Sequence, residues 1–344
     1  MIPATIPPPP GQQIDIGPLS IHYYGVLIGI GALLAIALGR RRYAALGGDP
    51  DLVDRVGVVG VLAGLLGARA AYVITHFSLF VDRPLAVFAL WEGGLAIFGG
   101  LLVGVVAGIW YARRLGMPLA PTLDAIIPGL PLGQAIGRWG NYFNQELYGT
   151  PTTLPWALEV EPARRVPEYA EFATFHPTFL YESLLNLCLV AVLLWVDRTR
   201  LRQGSIIWVY FAGYGFIRFW VELLRTDTTY RLLGLSRNNW VALLAFVVGL
   251  VGLRWWQRRA PDVPMGTPIA HADAPDRAER DADADATVDD GDRTEPAAAT
   301  TTDAGAGTAS DDDAGTAPVD DAGAGTAPDD DTSDDHEASR STAP

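Results

Sequence analysis

Five ionisable side chains lie within or at the ends of long apolar segments, where no solvent stabilises a charge. They are Arg69, Arg138, Glu182, Arg218 and Glu222. An ionised group at the centre of a membrane-spanning helix costs about 3 kcal/mol on insertion scales. Such residues therefore usually face a cavity or a partner of opposite charge, and each is a candidate for binding or catalysis.

Arg218 and Glu222 are four residues apart, so on a helix they share one face and can form an ion pair. One interpretation is structural, because buried ion pairs also join helices. The other is functional: a guanidinium has five N–H donors in a planar fork and can bind an anionic head group while Glu222 orients it. The pair alone leaves both interpretations open.

The stretch 137–149, Gly-Arg-Trp-Gly-Asn-Tyr-Phe-Asn-Gln-Glu-Leu-Tyr-Gly, is denser in polar side chains than the rest of the apolar region. Arg138, Asn141, Asn144 and Glu146 fall within nine residues. Its glycines permit a turn or a close approach of the backbone. An interfacial loop with Asn caps and aromatic residues is the plainer alternative, but the polar density favours a binding site.

Other candidates carry weaker signals. Tyr24 follows His22 at the start of an apolar segment, where interfacial aromatic residues are common. His176 precedes a proline and could simply cap a helix. The pairs Gly93-Gly94 and Gly99-Gly100 suggest close helix packing rather than a phosphate-binding loop, because neither phosphate-loop spacing is present.

Metal and thiol chemistry are not indicated. No two of the five histidines have the spacing of helical metal ligands, so we expect no metal site. The one cysteine, Cys188, lies deep in an apolar segment without a basic neighbour, which predicts an inert packing residue.

Positioning these side chains requires membrane-spanning helices. A helix needs about 20 apolar residues to cross a bilayer, and segments of this kind recur through the body of the chain. The predicted fold is all-α and polytopic, with seven spans at about 20–39, 56–75, 93–111, 122–138, 177–196, 204–223 and 239–256. A soluble enzyme, a disulfide scaffold and a nucleic-acid-binding protein are all disfavoured.

Arginines indicate the orientation. Twelve lie in or beside the loops that follow the odd-numbered spans, and six are spread over the longer loops on the other side. The positive-inside rule therefore places the N-terminus outside and the C-terminus in the cytoplasm of a bacterial plasma membrane. Residues 1–22 contain no Arg or Lys, which argues against a cleavable signal peptide. Four of the five charges then belong to the outer half of the membrane.

The chain divides into two parts of different chemistry. Residues 1–260 form the membrane domain, with a small extracytoplasmic insertion at about 139–176 that is rich in proline. Residues 261–344 hold 23 acidic side chains and 4 arginines, with Ala-Gly-Thr-Ala-Pro repeated at 314–318 and 324–328. Low hydrophobicity and high charge predict a disordered cytoplasmic tail.

The stretch 137–149 resembles the signature of the bacterial prolipoprotein diacylglyceryl transferases, with Tyr142 where Phe is usual. Segments 91–94 with 99–100, 176–182 and 214–225 are similar to other blocks of that family, in the same order. The resemblance covers about 20–257 and excludes the tail. The signature is highly specific, whereas the Gly-Gly block alone is weak.

The resemblance implies a seven-helix plasma-membrane enzyme without metal or cofactor. Such an enzyme moves the diacylglyceryl group of phosphatidylglycerol onto the lipobox cysteine of a preprolipoprotein and releases glycerol phosphate. By the same resemblance, Arg138 and Arg218 grip the phosphate and Glu222 holds Arg218. The resemblance also assigns the head-group site, with Asn141, Asn144, Glu146 and Gly149 shaping it and Tyr24 at its edge.

One position departs from the family pattern. Well-known members have a histidine just before the second Gly-Gly, and this chain has Phe98 there. We therefore expect another group, or the field of the two arginines, to activate the thiol. His176, Tyr24 and Glu222 are the candidates, and the sequence does not rank them.

Three other classes of function remain as alternatives at this stage. A transporter or channel also contains buried charges and glycine-broken helices, although no internal repeat is evident. A phosphatidylglycerol-dependent transferase with a non-protein acceptor would use the same head-group site. A catalytically inactive lipid-binding scaffold is the third.

Overall fold

The computed structural model describes residues 5–17, 19–89, 93–226 and 231–269. Within these ranges the chain forms eight α-helices. They are α1 (Tyr23–Ala45), α2 (Pro50–Thr75), α3 (Ile97–Arg114), α4 (Leu119–Ile126), α5 (Gly129–Asn144), α6 (Thr178–Val196), α7 (Ile206–Leu224) and α8 (Arg237–Arg259). The predominantly helical architecture confirms the predicted class.

Six of these helices, α1, α2, α3, α6, α7 and α8, are long and apolar enough to cross a membrane. The mean hydropathy of their most apolar windows ranges from 1.3 to 2.0. Most of their apolar side chains face outward; Leu33, for example, is 69% exposed. A surface of this kind is stable only in lipid, so the chain is a polytopic membrane protein.

The predicted fourth span, 122–138, is not one continuous helix. The chain turns between α4 and α5 at Pro128, which has no N–H to donate to the carbonyl of Asp124 one turn earlier. Instead, Nη2 of Arg42 donates a hydrogen bond to that carbonyl at 2.9 Å, and Nε of Arg42 donates to the carbonyl of Ala125 at 3.2 Å. A side chain from α1 therefore replaces the helical hydrogen bond that Pro128 cannot make to the carbonyl of Asp124.

The turn also lets α4 cap another helix. The Asp124 carboxylate is buried and accepts hydrogen bonds from the backbone N–H groups of Gly204 at 2.6 Å and Ile206 at 3.1 Å. These two N–H groups lie at the start of α7, where the first N–H groups of a helix have no partner within the helix. A carboxylate there also complements the helix dipole. Asp124 thus fixes the start of the helix that carries Arg218 and Glu222.

Glycines bring α2 and α3 into close contact. A Cβ added to Gly67 would lie 2.8 Å from the carbonyl oxygen of Gly99, and one added to Gly99 would lie 2.7 Å from that of Gly67. Only glycine permits this approach, so the predicted packing role of the 99–100 pair is confirmed. Gly93 and Gly94 instead adopt positive φ angles of 79° and 73° outside the helices.

Three short antiparallel hairpins complete the described chain: β1 (Gln13–Ile16) with β2 (Leu19–His22), β3 (Leu158–Glu159) with β4 (Thr174–Phe175), and β5 (Arg231–Leu232) with β6 (Leu235–Ser236). The middle hairpin lies between α5 and α6. Its apolar side chains form a separate small core with Tyr148, Val160 and Phe179. The segment therefore packs as a unit of its own. It is shorter than the predicted insertion at about 139–176, because helix α5 continues to Asn144.

The packed part of the chain extends beyond the predicted domain boundary at 260. Met265 is buried in the core between α6 and α7, and its N–H donates to the carbonyl of Leu201 at 2.8 Å. The N–H of Ile269 donates to the carbonyl of Leu46 at 2.7 Å, beside the core formed by α1 and α2. Residues 261–269, named the strap below, thus join two hydrophobic clusters. The disordered tail was predicted for 261–344; residues 261–269 make these contacts, and 270–344 lie outside the described residues.

We expect truncation after Arg259 to destabilise the protein and truncation after Ile269 to leave its stability unchanged. The first truncation removes the buried Met265 side chain, and full burial of such a side chain contributes about 1.5–3 kcal/mol. Thermal unfolding in detergent would measure the difference. Equal midpoints for the two truncated chains would show that the strap does not contribute to stability.

Candidate active site

The buried charges of three helices form one chain of ion pairs. Arg138 on α5 places Nε 2.7 Å from Oε2 of Glu182 on α6. Oε1 of Glu182 accepts a hydrogen bond from Nη1 of Arg218 on α7 at 3.1 Å. Nη2 of Arg218 donates to Oε2 of Glu222 at 2.5 Å. The sequence predicted the last pair, and the structure links it to Arg138 through Glu182.

Glu222 anchors the arginine cluster to the start of α8. Its Oε1 accepts hydrogen bonds from Ser236 Oγ at 3.0 Å and Asn238 Nδ2 at 2.9 Å. Arg225 Nε lies 3.7 Å from Oε2. Because the carboxylate is fully buried and held by several donors, it fixes the guanidinium of Arg218 in place.

A second group of polar side chains adjoins Arg138. Arg138 Nη1 donates to Asn141 Oδ1 at 3.3 Å, and Asn141 Nδ2 donates to Glu146 Oε1 at 2.8 Å. Asn144 Nδ2 reaches the same carboxylate oxygen at 3.2 Å. The ring of Tyr24 on α1 lies against Gly140, the residue before Asn141. The structure therefore brings together Tyr24 and the polar residues of the 137–149 stretch.

Gly140 makes the position of Tyr24 possible. A Cβ at residue 140 would lie 1.6 Å from Cδ2 of the Tyr24 ring. The ring therefore lies directly against the backbone of α5, a contact that any larger residue would prevent. The sequence left two roles open for this glycine, a turn or a close approach of the backbone, and the structure shows the close approach.

Gly149 and His176 belong to a backbone junction beside the site. The N–H of Gly149 donates to the carbonyl of His176 at 2.9 Å. A Cβ at residue 149 would lie 2.7 Å from Cβ of His176 and 2.9 Å from the carbonyl oxygen of Leu224, the last residue of α7. A glycine is required here because three segments meet.

The imidazole of His176 is directed to Tyr181 and not to the arginines. Its Nδ1 lies 3.2 Å from the Tyr181 hydroxyl, which also accepts a hydrogen bond from Trp156 Nε1 at 3.0 Å. Burial lowers the pKa of His176 below its ordinary value, because desolvation disfavours the imidazolium form. His176 is thus a neutral hydrogen-bonding residue near neutral pH.

This lowered pKa predicts a specific pH dependence of stability. The unfolded chain binds a proton at His176 more readily than the folded chain, so the stabilisation is complete above about pH 6.5 and is lost as the pH falls below that value. Replacing His176 by Gln should make the unfolding temperature less sensitive to acidification from pH 7 to pH 5. Parallel pH profiles for the two proteins would refute the assignment.

Three residues that the sequence analysis singled out lie away from the chain of ion pairs. Arg69 is buried in α2 and donates to the carbonyls of Ala86, Val87, Gly93 and Gly94. It therefore holds the α2–α3 connection and does not share the polar site. Phe98 is 83% exposed on α3. Cys188 is exposed on α6, so its predicted packing role is wrong. Trp91 and Glu92 of the Gly-Gly block lie outside the described residues.

Glu182 is the site residue that sequence reasoning undervalued. Its charge within an apolar span marked it as a candidate, but nothing in the local pattern indicated that it contacts arginines on two other helices. Glu182 and Arg218 are 36 positions apart. Their pairing depends on how α5, α6 and α7 pack together, which no local motif encodes.

Two guanidinium groups thus converge from different helices on one buried carboxylate. The Glu182 side chain is 3% exposed, whereas those of Arg138 and Arg218 are 20% and 15% exposed. Each guanidinium has five N–H donors and uses only some of them in these contacts. The accessible edges can therefore bind a tetrahedral anion such as a phosphate group.

Comparison with known proteins identifies the family. A family model described as prolipoprotein diacylglyceryl transferase matches residues 12–255. The chain belongs to this transferase family. The predicted resemblance is thereby confirmed, and the match covers all six membrane-spanning helices in whole or in large part.

Several relatives extend the comparison. Phosphatidylglycerol–prolipoprotein diacylglyceryl transferase 1 of Streptomyces coelicolor is 40% identical over 289 residues, which cover 81% of this chain and 82% of the relative. The enzyme of the same name from Synechococcus elongatus is 42% identical over 260 residues, 73% of this chain and 89% of the relative. The Cutibacterium acnes enzyme is 42% identical over 260 residues, 74% and 88% respectively.

Proposed function

We propose that this protein transfers the sn-1,2-diacylglyceryl group of phosphatidylglycerol to the lipobox cysteine thiol of a preprolipoprotein, releasing glycerol 1-phosphate. This is the first step of bacterial lipoprotein maturation. The observation that carries the proposal is the convergence of Arg138 and Arg218 on Glu182. It provides an anion site inside a membrane protein of a family whose named relatives use phosphatidylglycerol and prolipoproteins.

The proposed arrangement in the membrane has seven crossings. The short helices α4 and α5 together supply the crossing between α3 and α6, in addition to the six long helices. The arginine distribution supports an external N-terminus and a cytoplasmic C-terminus. Arg138, Glu182, Arg218 and Glu222 then lie toward the outer leaflet, on the side where the segment between α5 and α6 would be extracytoplasmic.

Arg138 and Arg218 would bind the phosphodiester of the lipid. When the thiolate attacks the lipid carbon, the C–O bond to phosphate breaks and a second negative charge develops on the departing glycerol phosphate. Donors fixed in place before the reaction stabilise such developing charge without reorganisation. Glu222 would hold Arg218 in position, and Asn141, Asn144, Glu146 and Gly149 would shape the head-group site.

The contacts narrow the candidates for thiol activation. Only the thiolate is a good nucleophile, and two arginines favour it electrostatically. The Tyr24 ring lies in the site, against Gly140 of α5. Both oxygens of Glu222 are engaged by other donors, and His176 is directed to Tyr181. These contacts support the field of the two arginines over His176 and Glu222 as the means of thiol activation. The reaction as proposed uses no metal, cofactor or nucleic acid.

A transfer assay tests the proposal. The full chain, purified in detergent, would be mixed with phosphatidylglycerol and a lipobox peptide, and the peptide's mass gain and glycerol phosphate release would be measured together. We expect both with the cysteine peptide and neither with its serine analogue. Lipid consumption independent of the peptide would indicate a non-protein acceptor. A folded protein that binds the lipid and consumes none would support a scaffold.

A further inference from the structure

We propose that Glu182 is a positioning residue that sets the net charge of the two-arginine site and thereby limits how tightly this site retains glycerol phosphate. The inference rests on the proposed function and extends it to product release. Among the described residues, Glu182 is the carboxylate that contacts both Arg138 and Arg218. Each arginine comes from a different helix, and α6 contributes the carboxylate between them.

The two oxygens of Glu182 are held differently. Oε1 accepts a hydrogen bond from Arg218 Nη1 at 3.1 Å. Oε2 lies 2.7 Å from Arg138 Nε but accepts no aligned hydrogen bond from the described residues. The contact with Arg138 is therefore mainly an attraction of charges. Glu222 differs, because Ser236 and Asn238 also bind it.

Burial places Glu182 behind the arginines. Its side chain is 3% exposed, against 20% for Arg138 and 15% for Arg218. An anion that enters the site meets the accessible guanidinium edges and not the carboxylate. Glu182 therefore acts on the anion through the arginines and through its charge, which a low-dielectric surrounding transmits strongly.

Charge balance explains why this matters for the product. The connected ion pairs comprise three arginines, Arg138, Arg218 and Arg225, and two carboxylates, Glu182 and Glu222. Together they carry one net positive charge, which matches the single negative charge of the lipid phosphodiester. The released phosphate monoester carries up to two negative charges. Without Glu182, the cluster would carry two net positive charges and would hold the doubly charged product more strongly than the substrate. By lowering the net charge, the carboxylate weakens the retention of glycerol phosphate and favours its release.

The experiment compares Glu182→Gln with the wild type. The amide nearly keeps the shape and removes the charge, so we expect glycerol 1-phosphate to inhibit the variant at about tenfold lower concentration. We also expect a burst of one adduct per enzyme, followed by slow turnover, because product release becomes limiting. Weaker inhibition by glycerol phosphate, or slow turnover without a burst, would indicate a merely structural role and overturn the inference.

Two further variants complete the design. Glu168→Gln removes a charge from an exposed turn and should leave the inhibition constant unchanged. Glu182→Asp keeps the charge, so we expect an inhibition constant within about twofold of the wild type and a slower transfer, since the shorter side chain spans the arginines less well. If only the Asp variant folds, a large loss of glycerol phosphate affinity overturns the proposal. Absence of any adduct with wild type would instead refute the proposed function.

Discussion

Replacing Arg138 by Ala is expected to lower the rate of diacylglyceryl transfer by about 10³-fold. The guanidinium is one of two that would stabilise charge on the departing phosphate, and removing one such donor from a preorganised site typically costs 10²–10³ in rate. The substitution also removes the contact of Glu182 with Arg138 at 2.7 Å. The buried carboxylate is then only partly compensated, which changes the position of Arg218. The initial rate of adduct formation, measured by mass spectrometry, gives the effect.

The charge and the geometry of Arg138 can be separated. Arg138→Lys keeps the charge and loses the planar fork, so we expect an activity between those of wild type and Arg138→Ala. Arg113→Ala is the matched control, because Arg113 is exposed at the end of α3 and should retain full activity. A rate for Arg138→Ala within tenfold of the wild type would exclude a direct role in charge stabilisation.

Gly140→Ala is expected to reduce transfer by about 10²-fold without unfolding the protein. The added Cβ would lie 1.6 Å from the Tyr24 ring, so the ring must leave its place against α5, next to the polar residues around Arg138. Displacements of about 1 Å at a reacting centre can cost 10²-fold in rate. The rate with the lipobox peptide and the thermal midpoint would both be measured.

Gly108→Ala provides the control for the helical glycine itself. Its Cβ would meet only Val56 Cγ1 at 3.9 Å, an ordinary contact. Alanine is favoured over glycine inside a helix by about 1 kcal/mol, so we expect unchanged activity and slightly higher stability. If Gly140→Ala behaved in the same way, the contact between Tyr24 and α5 would have no role in the reaction.

Arg69 and Arg138 have different partners in the structure, and the sequence did not distinguish between them. Both are arginines at apolar positions, and the sequence made both candidates for binding or catalysis. Arg69 donates hydrogen bonds to backbone carbonyls of the α2–α3 connection, while Arg138 forms an ion pair with Glu182. A charge in an apolar segment reveals that a partner exists, but its identity depends on segments that pack beside it.

The sequence by itself determined the class of the protein, six of the membrane-spanning helices, the family, and most of the polar residues that meet around Arg138. These follow from local properties: hydropathy over about 20 residues, helical spacing and a short signature. Only the tertiary structure decided that Pro128 divides the fourth predicted span, that His176 turns to Tyr181, that the strap joins two cores, and that Glu182 bridges two arginines. Each of these depends on contacts between residues distant in the sequence, and helix packing, not local pattern, sets such contacts.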